Sequence, residues 1–411
     1  MVKPGYKQTE IGVIPEDWEC VSLLDKATLL NGLTYTPDNV KDNGLLVLRS
    51  SNIQNNRLSF EDTLYVDCFV DDEKKIKNGD ILICVRNGSA ALIGKCAQAH
   101  HDYDATFGAF MAVLRGEHND YIHQILQKGT IQREISKNSG ATINQITNGD
   151  FKLIRIGLPT SKDEEFAVAK VLSHVDRLIS TYESLVAKKK AIKQGTMQEL
   201  LTGKKRLPGF SGRWVSGKWK DVLDGFSSGA TPYRGNPTFY KGSIKWVSSG
   251  ELNYNRIMDT LEHISPVAKE KANLTIHPAG TFLMAITGLE AASTRGSCAI
   301  LGTPATTNQS CMAIYGTNKM STEYLFHYYV QHSDELAFQY CQGTKQQSYT
   351  AAIVKELPIY YPEDVEEQNA IASVLTSMDN EIEALVQKLK KYRQVKQGMM
   401  QQLLTGKIRL V

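Results

Sequence analysis

Polar side chains that can hydrogen-bond to nucleic-acid bases recur in short turns that follow apolar runs of this chain. Arginine, asparagine, glutamine, serine and threonine carry the donors and acceptors that match base edges in the grooves of a duplex, and nearby cations and main-chain amides can bind phosphates. The candidates for such contacts are Arg49, Ser50, Asn52, Arg86, Asn87, Thr142, Asn144, Gln145, Ser248, Ser249, Thr287, Arg295, Lys345, Gln346, Gln347 and Tyr349. Solvated surface turns have the same composition, so both interpretations stay open for each residue.

Patterns typical of catalysis are incomplete. The segment 88–95 resembles a phosphate-binding loop, but five residues instead of four separate its glycines, and Cys96 stands where the motif requires serine or threonine. The segment 235–238 shares only its Asn-Pro step with the motif of adenine methyltransferases, and no glycine-rich cofactor motif precedes it. We therefore expect a protein without catalytic residues of its own.

Metal, cofactor and membrane sites are not indicated either. The seven cysteines are scattered without a Cys-x-x-Cys pair, and the nine histidines show no ligand spacing, which argues against a zinc site and a disulfide framework. The first residues lack the apolar core of a signal peptide, and no apolar run approaches the roughly 20 residues of a membrane span. The sequence predicts a cytoplasmic protein that binds no cofactor and no membrane.

The chain contains an internal duplication. Residues 163–208 and 366–411 align without a gap, 203 positions apart, with 20 identities in 46 positions. Two copies of one unit in a single chain predict pseudo-twofold symmetry, which suits a partner that is itself twofold or is read at two places.

Each repeat predicts a long helix. Apolar residues recur at alternating steps of three and four, as in the run Ile371, Leu375, Met378, Ile382. No proline falls between residues 164 and 207 or between residues 367 and 410. Gly203 and Gly406 stand where a helix takes a C-terminal glycine cap. We expect two helices of about 35–40 residues, or roughly 55 Å each.

Charge predicts how the two helices pair. Both begin with acidic residues and become basic further along, so only an antiparallel coiled coil sets acidic beside basic side chains. Two unrelated amphipathic helices, each on its own core, are the alternative. The two repeats carry a net charge of +5 and the rest of the chain −2, so any DNA-binding domains would bind through local patches, with a partner supplying positive charge.

About 155 residues precede each helix and show the short apolar runs and turns of α/β (α+β) domains. Residues 45–49, 80–85, 244–247 and 281–286 are predicted as buried strands. Weak internal similarity persists here, and the segment 18–21 resembles 219–222. The predicted organisation is a first recognition domain over 1–160, a helix over 161–207, a second recognition domain over 208–363 and a helix over 364–411.

The order of these parts resembles the specificity subunits of type I restriction-modification systems. The resemblance rests on the Ile-Pro-x-x-Trp opening at 14–18 and on a Leu-Leu-Thr-Gly-Lys helix end at both 200–204 and 403–407, although the second half lacks the Ile-Pro-x-x-Trp form. It implies two target recognition domains that read the halves of a split target in double-stranded DNA. It also implies helices that separate the domains and bind two methyltransferase subunits, with restriction subunits joining the complex.

The repeated helix ends predict a surface presented twice to one kind of partner. The side chains proposed for this contact are Met197, Leu200, Leu201, Met400, Leu403 and Leu404. Packing within the chain is the alternative for these residues. Two other functions stay open at this stage: a self-contained DNA methyltransferase or nuclease, and a coiled-coil scaffold that binds protein alone.

Overall fold

The computed structural model describes residues 3–138, 144–289, 296–341 and 348–410. The chain forms two compact units. Unit 1 comprises Met1–Glu183 and Gln387–Val411, and unit 2 comprises Ser184–Val386. The division falls inside both long helices, so each unit contains one globular domain and about half of each helix.

The described part of unit 1 contains fourteen strands and three short helices. The strands are β1 Tyr6–Thr9, β2 Gly12–Pro15, β3 Glu19–Ser22, β4 Thr28–Asn31, β5 Val40–Lys41, β6 Leu45–Leu48, β7 Ile53–Gln54, β8 Arg57–Leu58, β9 Tyr65–Val66, β10 Ile81–Cys84, β11 Cys96–Gln98, β12 Ala105–Phe107, β13 Met111–Arg115 and β14 Arg155–Leu158. The short helices are α1 Asn119–Leu126, α2 Gly129–Asn138 and α3 Asn148–Leu153. Two four-stranded sheets, in the orders β11-β10-β13-β4 and β12-β6-β9-β5, enclose the core.

The long helices are α4, Lys162–Leu200, and α9, Val365–Leu403, of 39 residues each. Between them, unit 2 contains β15 Trp214–Lys218, α5 Trp219–Val222, β16 Asp224–Ser228, β17 Ile244–Val247, β18 Asn255–Ile257, β19 Glu262–Ile264, α6 Pro266–Lys271, β20 Phe282–Ala285, β21 Cys298–Leu301, β22 Thr306–Thr307, β23 Cys311–Tyr315, α7 Thr322–Tyr340, α8 Ala351–Glu356 and β24 Pro358–Pro362. Its main sheet has the order β16-β23-β20-β21-β18. The four predicted strands correspond to β6, β10, β17 and β20.

Ion pairs within each unit confirm the antiparallel pairing of α4 and α9. In unit 1, Asp176 pairs with Lys396 at 2.6 Å and Glu183 with Arg393 at 2.6 Å. Residue numbers therefore increase along α4 in the direction in which they decrease along α9. In unit 2, Lys189 pairs with Glu381 at 2.6 Å. Acidic side chains therefore lie beside basic ones, as the charge pattern predicts.

Both helices end in the same way. Gly203 and Gly406 adopt φ values of +69° and +66°, a left-handed conformation that glycine adopts without steric cost, and their amides donate to the carbonyls of Leu200 and Leu403. A side chain at Gly203 would contact Trp214, and one at Gly406 would clash with Pro15 and contact Trp18 at 3.3 Å. The helix ends are thus fixed against the globular domain of their own unit.

An ion pair between a partly exposed arginine and a buried glutamate stabilises each of these junctions. In unit 1, Arg409 contacts the carboxylate of Glu164, which is 2% exposed, and that of Asp17, and these hydrogen bonds raise the pKa of Arg409 and lower that of Asp17. In unit 2, Arg206 makes the matching contact with Glu367, which is fully buried. Arg206 and Arg409 are 203 positions apart in the sequence, and so are Glu164 and Glu367. The duplication therefore includes the packing as well as the sequence.

Strand pairing corrects the internal alignment at the tryptophans. In unit 1, β3 pairs with β14 so that Ser22 faces Arg155, and in unit 2, β15 pairs with β24 so that Lys218 faces Pro358. This register makes Trp214 the counterpart of Trp18, and each ring lies 5.9 Å below its arginine, Arg206 or Arg409. The similarity of 18–21 to 219–222 is therefore misleading.

Each unit also contains a buried histidine close to a lysine that forms an ion pair between the two long helices. These are His123 near Lys396 and His327 near Lys193. Burial lowers the pKa of His123 to about 4 and that of His327 to about 3. The ring of His327 lies 2.9 Å from the hydroxyl of Thr376. Both imidazoles are therefore neutral near pH 7.

Candidate nucleic-acid interface

Three polar turns meet in unit 1 where strands β6 and β10 end. The side-chain amide of Asn87 donates to the hydroxyl of Ser50 at 3.1 Å, and its main-chain amide donates to the carbonyl of Asn144 at 3.2 Å. The side chain of Asn144 in turn donates to the carbonyl of Gly88 at 3.0 Å. We call the residues Ser50, Arg86, Asn87, Asn144 and Gln145 the loop cluster of unit 1. Five sequence-predicted candidates are thus brought together.

Arg86 and Gln145 lie opposite each other in this cluster. They form an antiparallel bridge, flanked by hydrogen bonds from Asn87 N to Asn144 O and from Ile146 N to Val85 O. A pair flanked in this way does not exchange hydrogen bonds itself, and its two side chains stand close together on one face. The guanidinium of Arg86 lies 5.2 Å from the ring centroid of Phe110, which is 54% exposed.

Unit 2 repeats the main-chain frame of this cluster. Thr287 and Ser348 form the matching bridge, and Tyr349 N donates to Ile286 O at 2.9 Å as Ile146 N does to Val85 O. The next strand is joined in the same way, by Ile286 N to Ser310 O in unit 2 and Val85 N to Phe110 O in unit 1. Equivalent positions thus carry different side chains: Arg86 and Thr287, Gln145 and Ser348, Phe110 and Ser310.

Several predicted base-reading residues have structural roles instead. Asn52 is fully buried and bonds the main chain of its own turn, accepting from Arg49 N and donating to Ser59 O and Asp62 O. Tyr349 is 3% exposed, and burial raises the pKa of its hydroxyl. Neither side chain is exposed for contact with DNA, because Asn52 satisfies main-chain groups of the turns around it and Tyr349 belongs to the core of unit 2.

Two further candidates are engaged within the chain. The guanidinium of Arg49 pairs with Asp62 at 2.8 Å, and both the amide and the hydroxyl of Ser248 donate to Glu251 at 2.8 Å. Ser249 and Thr287 are partly exposed at the equivalent edge of unit 2. Thr142, Arg295, Lys345, Gln346 and Gln347 lie outside the described residues.

The six side chains predicted to contact a partner are buried within the chain. Met197, Leu200 and Leu201 belong to the core of unit 2, and Met400, Leu403 and Leu404 to that of unit 1, with exposures of 1–8%. The prediction of a partner contact through these side chains is therefore corrected in favour of core packing. Apolar residues continue past the heptad seam because each helix end packs onto a recognition domain.

Sequence reasoning missed Phe110 and the buried carboxylates Glu164 and Glu367. Phe110 follows Gly108-Ala109 between two strands, and an isolated aromatic residue in a turn carries no periodic signal. The two glutamates are predicted from the sequence only as part of the acidic start of each helix. Glu164 and Glu367 are 203 positions apart, as are Arg206 and Arg409, and this common spacing is the signal that could have indicated two equivalent ion pairs.

The weaker catalytic motifs do not form sites. Residues 88–95 lead into strand β11 rather than a helix, unlike a phosphate-binding loop, and Asn236 caps its own turn by accepting from the amide of Thr238. Over residues 3–138, 144–289, 296–341 and 348–410, no group of three histidine, cysteine or acidic side chains could hold a metal ion. In the same residues, no helix is both long and apolar enough to span a membrane.

Comparison with known proteins identifies the same two-part organisation. The family model of the type I restriction modification DNA specificity domain matches residues 15–194 and again 212–392. The S subunit of a type I restriction-modification system from M. genitalium has a similar fold, with a TM-score of 0.66, 12% sequence identity and coverage of 98% of both chains.

Curated relatives match over part of their length. The specificity subunit of type I restriction enzyme EcoKI from Escherichia coli K12 is 30% identical over 205 residues, which are 47% of this chain and 44% of that protein. The specificity subunit of StySPI from Salmonella potsdam is 28% identical over 204 residues, with the same coverage. The aligned segment thus spans less than half of these relatives. Because the family model covers most of the chain in two copies, the chain belongs to the family of the type I restriction modification DNA specificity domain.

Proposed function

We propose that this protein is a sequence-specific, non-catalytic DNA-binding subunit that reads a bipartite target and directs methyltransferase and restriction subunits to it in the cytoplasm. The observation that carries the proposal is one main-chain frame built twice with different side chains at its exposed edge. A rigid frame fixes where side chains meet a duplex, and the side chains decide which bases are bound. Two frames with different side chains therefore suit two different half-sites.

The bipartite target predicts a strict dependence on half-site spacing. Two recognition units that read the same face of a duplex need half-site centres about one helical turn, roughly 10 base pairs, apart. Changing the unread spacer by three base pairs should turn one half-site away from its unit and lower the affinity to the nonspecific level. The measurement is binding of the complex with its methyltransferase subunits to duplexes of varied spacer at fixed salt.

A scrambled half-site at the native spacing is the control, and it should weaken binding to the same level as the altered spacer. Equal affinity for every spacer, or a methylation motif that is one continuous block, would contradict the bipartite reading. Binding of a partner protein without any salt-dependent DNA binding would favour the scaffold function, and turnover by the isolated chain would favour an enzyme.

For the partner contact, the helices offer another repeated surface. Ile192 and Val395 are 44% and 41% exposed, and Gly195 and Gly398 lie one turn further along their helices. A Cβ atom added to either glycine would meet no atom within 4 Å. Glycine within a helix costs about 1 kcal/mol relative to alanine, and at these two exposed positions, each close to an exposed apolar side chain, it leaves room for the close approach of a partner.

We expect each of these faces to bind one methyltransferase subunit. Gly195→Leu should remove one of two partners, Gly398→Leu the other, and the double variant both, because the new side chain blocks the close approach. Leucine is a better helix former than glycine by roughly 0.8 kcal/mol, so the helices themselves should remain folded. Native mass spectrometry of the assembled complex counts the partners.

Ser184→Leu is the matched control and should keep both partners, because Ser184 is an exposed position of α4 that lies eleven residues before Gly195 and eight residues after Asp176, the residue paired with Lys396. A wild-type complex with one partner per chain would contradict the paired surface. Two partners on the double variant would show that the partner binds elsewhere.

A further inference from the structure

Arg86 is held ready for a ligand that the chain itself does not supply. Its main-chain amide donates to Phe110 O at 3.1 Å, and its guanidinium lies over the Phe110 ring. Other arginines at the edges of the domains are engaged, such as Arg49 with Asp62 and Arg234 with Glu262. Among the residues that the structure describes, no carboxylate lies within ion-pair distance of Arg86, which leaves its hydrogen-bond donors for an external acceptor.

Gln145 stands beside it on the same face. In an antiparallel pair that does not exchange hydrogen bonds, facing Cβ atoms are about 4.5–5.5 Å apart. Successive bases along a strand are separated by about 3.4 Å. The side chains of Arg86 and Gln145 can therefore reach one base pair and its neighbour. No hydrogen bond from the side-chain amide of Gln145 is made to the described residues, so both of its functional groups are available.

The two side chains match two different bases. Arginine binds the O6 and N7 atoms of guanine through two parallel hydrogen bonds, and glutamine pairs in the same bidentate manner with N6 and N7 of adenine. An aromatic ring under the guanidinium orients its plane and adds a cation–π attraction. In unit 2 the equivalent positions are Thr287, Ser348 and Ser310, whose short hydroxyls bind several bases with less discrimination.

From this geometry, and given the proposed function, we infer that unit 1 reads a guanine with Arg86 next to an adenine with Gln145. Phe110 is a positioning residue for Arg86. At the positions equivalent to Arg86 and Gln145, unit 2 carries Thr287 and Ser348, so the contacts made at these two positions differ between the units. The half-site of unit 1 therefore contains a guanine–adenine step, and the two half-sites differ in how strongly they depend on a single side chain.

The test is selection of bound sequences from a library with both half-sites randomised, using the complex with its methyltransferase subunits. We expect Arg86→Ala to relax one guanine position in one half-site, with a loss of discrimination of about 5- to 150-fold, and Gln145→Ala to relax the adjacent adenine. Phe110→Ala should weaken the same guanine preference partially. Thr287→Ala is the matched control, and it should alter only the other half-site.

Three results would overturn the inference: an unchanged guanine preference in Arg86→Ala, a relaxed position that is not guanine, or an equal loss on every sequence with a smaller salt dependence. The last result would make Arg86 a phosphate contact. Failure of the proposed function looks different, because the wild-type complex would then select no sequence at all. Hydrogen exchange of each variant verifies that unit 1 stays folded.

Discussion

Replacing Arg409 with alanine should destabilise unit 1 by about 3–5 kcal/mol, because it leaves the carboxylate of Glu164 buried without its cation. Glu164 is 2% exposed and accepts a further hydrogen bond from the indole of Trp18, which cannot neutralise its charge. Arg206→Ala should destabilise unit 2 by a similar amount through Glu367. Hydrogen exchange followed by mass spectrometry resolves the two units and measures each effect separately.

Arg256→Ala is the control for this experiment. Arg256 pairs with Glu323 at the surface, where the two side chains are 44% and 35% exposed, and its loss should cost no more than about 1 kcal/mol. If Arg409→Ala and Arg206→Ala are as mild as the control, the buried pairs do not hold the helix ends. If either variant destabilises both units equally, the two units unfold together rather than independently.

Truncating the buried leucines at the helix ends should have an effect of similar size. Leu404→Ala should destabilise unit 1, and Leu201→Ala unit 2, by about 2–5 kcal/mol each, from lost apolar burial and the cavity left behind. The measurement is again unit-resolved hydrogen exchange, with denaturant unfolding as a second readout.

Ile408→Ala is the matched control, since Ile408 is 52% exposed close to the same helix end and its loss should change stability by less than about 0.5 kcal/mol. If Leu404→Ala and Leu201→Ala keep wild-type stability but lose the methyltransferase subunits, these leucines contact the partner and core packing is contradicted. Loss of the partners together with local unfolding agrees with core packing.

Features with a regular period could be predicted from the sequence. The heptad spacing and the charge reversal along each repeat indicated two antiparallel helices, and compact apolar runs indicated β6, β10, β17 and β20. Both patterns depend only on residues close together in the sequence, so they can be recognised without knowledge of the tertiary fold. The ends of the helices could not be assigned in this way, because Leu200 and Leu403 look the same whether they pack on a domain or on a partner.

The loop residues show a second limit. Asn52 and Arg86 belong to similar polar turns after strands, yet one is buried in its own turn and the other is exposed over an aromatic ring. The difference depends on which distant turns meet, and Phe110 is 24 positions from Arg86. A polar turn in the sequence therefore indicates where binding residues can lie, and the fold decides which of them face outward.

The composition of unit 1 from two distant segments also affects synthesis. Unit 2 is one continuous stretch, Ser184–Val386, whereas unit 1 lacks Gln387–Val411 until these residues have been synthesised after unit 2. At about 5–20 residues per second, roughly 10–40 s pass between translation of Glu183 and of Gln387. During that interval Val168 and Leu172 lack the apolar side chains of Met400 and Leu403, which complete their core. Residues 1–183 are therefore synthesised before unit 2, although their core is completed after that of unit 2.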